Sequence, residues 1–395
     1  MPPHTVVSRR AVERLRTGHP WIYRSDIVSV EAEPGDVVEV RSERKRPLGL
    51  AWWSSESQIA LRMIAGEREF DDARDESVLV AARLRAAMAY REALAIDATA
   101  FRLVHAEADR LPGLVVDRYG DDRGVWLVVQ TLCQATDRRR QMIVDALVAL
   151  VKPAGILARN DGKVRQFEGL PSEVAVLHGD VPDAIDVREG GTTLRADLRR
   201  GQKTGLFLDQ RENHTAAGGY ARGRTLDAFA YQGGFGLAMA RRADAVLALD
   251  SSAPAVDSIR RNAEANGRSN VEAREVNVFD ELRELEVSGA RFETIVLDPP
   301  AFAKNRAAVD RAVAGYKEIN LRALKLLSPG GHLLTFSCSH HVDESLFLAI
   351  VESAAADAHV TAVLVERRQQ ARDHPVLVGV PETSYLKGLV LRRLA

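Results

Sequence analysis

Short apolar runs, each closed by Gly, Pro, Asp or Asn, set the rhythm of this chain. Near the N-terminus they fall at residues 37–40, 48–52 and 59–64, with Pro34-Gly35-Asp36 marking a turn. Runs of this length between turn residues predict strands, and their close spacing predicts a small β barrel. Residues 71–76 are a charged bridge in which Asp75 or Ser77 can cap the helix that follows. Val80, Leu84, Ala87, Met88 and Leu94 then recur at helical spacing and predict a helix over 78–96. Apolar stretches at 101–109 and 111–117, a strand at 125–130, a helix over 138–151 and a strand at 155–159 complete an α+β segment.

From about residue 190 the pattern becomes a regular alternation. Strands are predicted at 225–230, 245–250, 271–276, 294–297, 332–336, 362–365 and 388–391. Helices fall between them near 234–242, 253–265, 308–327 and 343–356. Alternation of this kind means an α/β doubly wound, mostly parallel sheet. Three domains are therefore expected, over 1–72, 73–190 and 191–395.

Composition narrows the class. The chain has 395 residues, 46% hydrophobic and 28% charged, the balance of a globular protein. No apolar run approaches the roughly 20 residues of a membrane span. The first residues carry charges and Pro instead of an apolar h-region, so no signal peptide is expected and a cytoplasmic location is. Two cysteines, Cys133 and Cys338, make no disulfide framework, and no CxxC pair points to zinc. Net charge is −1, but cations cluster at Arg9, Arg10, Arg14, Arg16 and Arg24, at Arg41, Arg44, Lys45 and Arg46, and at Arg199, Arg200 and Lys203. Such clusters can neutralise phosphates, although a solvated surface accounts for them equally well.

Two strand ends carry the candidate chemistry. Asp298 follows the apolar run 294–297 and opens Asp298-Pro299-Pro300-Ala301-Phe302; Cys338 follows the run 333–336. Ligands of open α/β sheets bind at the carboxyl ends of strands, so neighbouring strands would turn a carboxylate and a thiol into one crevice. Cys133, after a buried-looking strand, is expected to be a core residue. Upstream, Asp227 to Gly236 joins a strand to a helix through Gly233-Gly234-Phe235-Gly236. Glycine there lets a ligand approach the backbone, and the helix start offers unpaired N–H groups. Asp250 ends the next strand, placed to bind ribose hydroxyls, and Asn277 follows the third, placed for an adenine edge. The turn lacks the G-x-G-x-x-G of a dinucleotide site, which favours S-adenosylmethionine over NAD. The cofactor candidates are Asp227, Phe229, Tyr231, Gly233 and Gly234, then Asp250 with Ser251, Asn277 with Val278, and Asp298.

Several motifs, taken together, resemble one family. They are the segment 201–211 (GQKTGLFLDQR), the Gly-Gly-Phe-Gly turn, 297–302 (LDPPAF), 336–339 (FSCS), and the tail His374-Pro375-Val376 with 381–387 (PETSYLK). This set resembles the bacterial 23S rRNA cytosine-C5 methyltransferases, and residues 14–23 resemble the start of the PUA-type RNA-binding domain fused to RNA methyltransferases. The resemblance spans nearly the whole chain. It implies a class I, Rossmann-like methyltransferase fold behind a PUA-like domain, S-adenosylmethionine as cofactor, 23S rRNA that is protein-free or early in assembly as substrate, and a homodimer. It adds Gln210 to the cofactor candidates and Lys203, Arg211, Pro299, Pro300 and Phe302 to the substrate candidates. Asn277 stands where the family often has Asp, Arg159-Asn160-Asp161 where Arg-Ser-Asp is usual, and His214 where Arg is frequent.

The chemistry follows from the pyrimidine. Carbon 5 is a poor nucleophile, and a thiolate adding at carbon 6 activates it. Cys338 is the expected nucleophile, favoured by a nearby cation or helix N-terminus. Asp298, if protonated, can donate to N3; Asp298 or water can remove the carbon-5 proton. The base must be unpaired or flipped out. Uracil suits the same thiol, and only the resemblance leans to cytosine. A guanine N-methyltransferase and a non-catalytic RNA-binding or assembly protein are the competing readings. His340-His341 invites a metal reading, but adjacent residues rarely chelate one ion and methyl transfer needs none. Lys304, Asn305, Tyr316 and Lys317 are expected to be surface positions around a helix.

Overall fold

The computed structural model describes residues 3–69, 75–303 and 306–395. The bridge at 71–74, the 72/73 boundary, Lys304 and Asn305 lie outside the described residues. The chain forms two units, neither continuous in sequence. The first comprises Met1–Val187, Ala196–Leu208 and Arg372–Thr383; the second comprises Arg188–Arg195, Asp209–Ala371 and Ser384–Ala395.

The first unit opens with β1 (His4–Val7), α1 (Arg9–Arg16), β2 (Trp21–Tyr23), β3 (Ile27–Val30), β4 (Val37–Ser42), β5 (Pro47–Trp53) and β6 (Ile59–Gly66). Among the described residues these strands make a six-stranded sheet ordered β2-β6-β5-β4-β1-β3. Helix α1 has no apolar stripe to announce it: only Ala11 is buried, and Ser8 caps it by accepting the Ala11 N–H. Next come α2 (Glu76–Ala93), β7 (Phe101–His105), β8 (Leu114–Asp121), β9 (Gly124–Thr131), α3 (Gln134–Arg138), α4 (Arg140–Val151), β10 (Gly155–Asn160) and β11 (Glu173–Gly179). Their strands are ordered β11-β10-β9-β8-β7. Asp75, not Ser77, caps α2. Leu50, Trp52 and Ile64 of the first sheet share one core with Leu84, Val104 and Val116.

A ribbon of β12 (Ala184–Glu189) and β13 (Thr192–Asp197) follows. Two later segments pack back into the first unit, a return that local pattern does not predict. Thr204 donates its hydroxyl to Asp117 at 2.6 Å. Asp373 is fully buried, accepts the Arg102 N–H at 2.8 Å, and its carbonyl receives Arg91 at 2.8 Å.

The second unit holds α5 (Arg211–Tyr220), β14 (Arg224–Ala228), α6 (Gly234–Met239), β15 (Ala245–Asp250), α7 (Ala253–Ala265), β16 (Val271–Glu275), α8 (Val278–Val287) and β17 (Phe292–Leu297). It continues with α9 (Val309–Leu326), β18 (Leu327–Ser337), α10 (Glu344–Ala358), β19 (Ala362–Arg368) and β20 (Lys387–Arg393). Among the described residues the sheet is seven-stranded, ordered β16-β15-β14-β17-β18-β20-β19. All neighbours are parallel except β20, which runs against β18 and β19. The alternation therefore builds the doubly wound sheet it predicts. Ile295, Val296 and Leu297 are fully buried, as a parallel strand covered on both faces requires. Strand order reverses at β14, between β15 and β17, and a ligand crevice belongs outside the carboxyl ends at such a point.

Candidate active site

The turn after β14 is held from inside the protein. Asp227 is fully buried, and its Oδ2 accepts the Gly236 N–H at 2.7 Å. A Cβ on Gly236 would stand 3.0 Å from that oxygen, so glycine is what lets the clamp close. Burial pushes the Asp227 carboxyl up to about 7, against the Gly236 bond and the nearby His214, which lower it. Asp227, a cofactor candidate, therefore shapes the turn from inside the protein. Within the turn Phe229 (φ 67°), Tyr231 (φ 50°) and Gly233 (φ 83°) are left-handed. For the two aromatic residues that conformation is strained and needs outside support. Support comes from β15: Ala230 N–H bonds the Leu249 carbonyl at 2.9 Å, and Tyr231 N–H bonds Asp250 Oδ2 at 2.9 Å.

Asp250 also takes the Ser252 N–H on its other oxygen at 2.9 Å, which fixes the carboxylate at the end of β15 beside the exposed Ser251. Asn277 is exposed and caps α8, its side-chain oxygen accepting from Phe279 and Asp280 N–H groups. Its amide nitrogen is left for another partner. Val278 is buried in the core, so only its main chain is offered to a ligand.

The carboxylate and the thiol come together as the pattern predicts. Strands β17 and β18 are parallel neighbours with Leu297 opposite Thr335, and the Cys338 Sγ lies 4.0 Å from the Pro299 carbonyl. Cys338 is half-buried, whereas Cys133 is buried in the first unit, where burial pushes its thiol up. Gln210 Nε2 donates to Asp298 Oδ1 at 2.9 Å, and Asn213 in turn donates to Gln210 Oε1 at 2.5 Å. Gln210, a cofactor candidate, thus orients Asp298. Ser339, just past the thiol, is bonded to the Tyr316 hydroxyl at 2.9 Å and accepts the Ala303 N–H at 3.2 Å. Tyr316 is fully buried, which corrects its placement on the surface; Lys317 pairs with Asp357 at 2.7 Å.

Pro299 is buried and Pro300 exposed. Phe302 stands in an aromatic cluster, with ring centroids 6.5 Å from Phe229, 5.8 Å from Phe279 and 4.7 Å from Tyr316. It ties the Asp-Pro-Pro turn to the turn after β14. Lys203 is exposed, its ammonium 4.4 Å over the Phe207 ring. Arg211, the other cation of this segment among the substrate candidates, is buried. Part of the N-terminal basic cluster is likewise used internally. Arg10 and Arg14 bracket the buried Asp26 at 2.6 and 2.9 Å, and Arg24 donates to the Ser54 and Ser57 carbonyls. His340 and His341 are exposed, and among the described residues no group of three metal-ligating side chains occurs.

His214 Nδ1 lies 2.7 Å from Glu189. Burial alone lowers that imidazole; Glu189 outweighs it, and the net direction is upward. The pair lines a cavity of about 400 Å³ between α5, α6 and the tip of the β12–β13 ribbon. Neither Asp298 nor Cys338 lines this cavity. Position alone could have revealed Gln210 and Asn213, three apart at a helix start; Lys387, described below, gives no such signal.

Comparison with known proteins gives a consistent picture. Residues 6–65 match the PUA-like domain family, and residues 113–392 match the S-adenosylmethionine-dependent methyltransferase family. The ribosomal RNA large subunit methyltransferase I of Aeromonas salmonicida is 41% identical over 383 residues, covering 95% of both chains. Its counterpart from Vibrio cholerae is 39% identical over 406 residues, covering 100% of both. Among solved structures, SMU.776, a methyltransferase complexed with SAH, superposes with a TM-score of 0.83, covering 98% of this chain and 99% of that one. At 21% identity that likeness speaks for the fold alone.

Proposed function

Because the chain belongs to the ribosomal RNA large subunit methyltransferase I family, a PUA-like domain with an S-adenosylmethionine-dependent methyltransferase domain, we propose that it methylates carbon 5 of a cytosine in 23S rRNA with Cys338 as nucleophile. The observation that carries this reading is the half-exposed thiol beside the Asp298-Pro299-Pro300 turn, on adjacent strand ends at the switch point of the sheet. A methyltransferase acting on nitrogen has no use for that thiol.

The residues fit the cofactor. Asp250, fixed by two backbone N–H groups, is an acceptor set for ribose hydroxyls, and the Asn277 amide suits a base edge. S-adenosylmethionine supplies an electrophilic methyl group. The Cys338 sulfur adds to carbon 6 of the flipped base, and the electron pair of the 5,6 double bond moves toward carbon 5, which then takes the methyl group. A base, Asp298 or water, removes the carbon-5 proton; the pair it leaves restores the double bond and expels the thiolate. Gln210 orients Asp298 by donating to its Oδ1; as a carboxylate Asp298 accepts from the 4-amino group of cytosine, which uracil lacks, and as an acid it donates to N3. Pro300 and Phe302 wall the slot for the flat base, and Lys203 neutralises a phosphate. The working state is a homodimer in the cytoplasm, on rRNA that is free of protein or early in assembly. Among the described residues no helix is long and apolar enough to cross a membrane.

Nucleoside mass spectrometry of 23S rRNA treated with the enzyme and S-adenosylmethionine tests the reading. We expect 5-methylcytidine, none of it with Cys338→Ala, and a covalent complex with RNA carrying 5-fluorocytidine, whose fluorine blocks the last elimination. N-methylguanosine, or full activity in Cys338→Ala, would refute it.

A further inference from the structure

Strand β20 begins with a lysine that is only 8% exposed. Lys387 stands opposite Ser337 in the antiparallel register with β18, one residue short of the thiol. Its ammonium donates to the Ser339 carbonyl at 2.7 Å and to the Tyr385 carbonyl at 2.9 Å. Both acceptors are neutral, and the first belongs to the residue after Cys338. Among the described residues Lys387 makes no ion pair within 4.0 Å. A buried ammonium without a counterion is expensive, and two carbonyls do not cancel its charge. Two negative groups face it: Cys338 when ionised, and Asp343. Asp343 is already engaged, capping α10 through the Leu346 N–H at 2.8 Å and accepting the Ser345 hydroxyl at 2.7 Å.

We propose that Lys387 is the positioning residue that holds Cys338 as a thiolate, its ammonium serving as the sulfur's counter-charge. This rests on Cys338 being the nucleophile. Burial lowers the Lys387 pKa and an ionised Cys338 raises it; the coupling is reciprocal, so the ammonium lowers that of the thiol by the same free energy. Several described groups around this strand end supply no cation. Tyr316 is a buried phenol whose pKa burial raises, Asp298 would oppose ionisation, and His340 and His341 are exposed. Lys387 thus does from a strand what a helix N-terminus does in other thiolate sites.

The chain's two cysteines make the test direct. Cys133 is buried, so iodoacetamide alkylation of the native enzyme reads Cys338, with Cys338→Ala as the blank. Lys387→Gln keeps a donor for the carbonyls and removes the charge. Its alkylation midpoint should rise by about one pH unit, with a rate at pH 7 down about tenfold; Lys387→Arg should stay near wild type. Lys387→Met serves as the second neutral variant, and protection of Cys133 certifies that each variant is folded. The acidic limb of kcat should shift with the alkylation midpoint. Unchanged midpoints in the folded neutral variants would overturn the proposal, even if Cys338 remains essential for methylation. A shifted midpoint in an enzyme that forms no 5-methylcytidine would support the coupling and sink the carbon-5 reading instead.

Discussion

Asp227→Asn isolates the electrostatics of the turn that the cofactor must meet. At about 1.4 kcal/mol per pH unit, a carboxyl moved from 3.8 to about 7 disfavours the ionised native state by about 4 kcal/mol. The native form holds its proton where the unfolded chain has lost it, so stability falls as pH rises from about 4 to 7 and the whole penalty stands above that. His214 acts in the same direction, because its raised pKa stabilises the fold at low pH and that contribution fades as pH climbs through it. Asn at 227 is neutral throughout. Its amide, however, replaces Oδ1, which has no hydrogen-bond partner, and an unsatisfied buried donor costs about 1–3 kcal/mol. At pH 5.5 the carboxyl already costs the wild type about 2 kcal/mol, which offsets the amide, so the two proteins should be of similar stability there. Between there and pH 8.5 the variant should gain about 2 kcal/mol on the wild type, from the roughly 1.5 pH units that lie below the Asp227 midpoint. Tryptophan fluorescence cannot follow this, since Trp21, Trp52, Trp53 and Trp126 all lie in the first unit. There His105, its pKa pushed well down by burial, works the other way. Hydrogen exchange of peptides covering β14 and α6, corrected for intrinsic rates, gives the local opening free energy. Parallel pH curves for the two proteins would refute the reasoning.

Gly236→Ala improves helix propensity yet drives a Cβ to 3.0 Å from the Asp227 oxygen; breaking the clamp should lower stability by about 1–3 kcal/mol and weaken S-adenosylmethionine binding by calorimetry. Gln210→Leu removes the donor that orients Asp298, and kcat should fall by about 10- to 100-fold with cofactor affinity nearly unchanged, by analogy with other residues that orient a reacting group. Asp373→Ala strips a fully buried acceptor from the Arg102 N–H; the first unit should lose about 1–3 kcal/mol in urea unfolding followed by tryptophan fluorescence.

The parallel core of the second unit was legible because a strand buried on both faces must be an unbroken apolar run, as 294–297 and 333–336 are. The polar residues that end those runs marked the crevice, so Asp298 and Cys338 could be paired before any coordinates. Other elements hide for physical reasons. Helix α5 (RENHTAAGGY) carries two glycines and few apolar residues, and α8 is shielded by its acidic face. Helix α1 buries one alanine. Burial of polar residues was the main loss: Arg211 and Tyr316 have surface character by type, and only long-range packing takes them inside. Lys387 looks like an ordinary strand opener, and the cations of Arg10, Arg14 and Arg24 could not be subtracted until their acceptors were known.

The two segments that return to the first unit bear on how the protein is made. A chain emerging from the ribosome can pair β1 to β11 early, but Asp373 reaches Arg102 only after nearly all of the methyltransferase sheet has been synthesised. The first unit therefore waits, incomplete, for residues 372–383, and its last stitch emerges after every strand of the second unit except β20. Translation order and spatial order disagree. A catalytic half cut out at the 191 boundary would carry two orphaned strips of its neighbour, and the half left behind would lack the acceptor that finishes it.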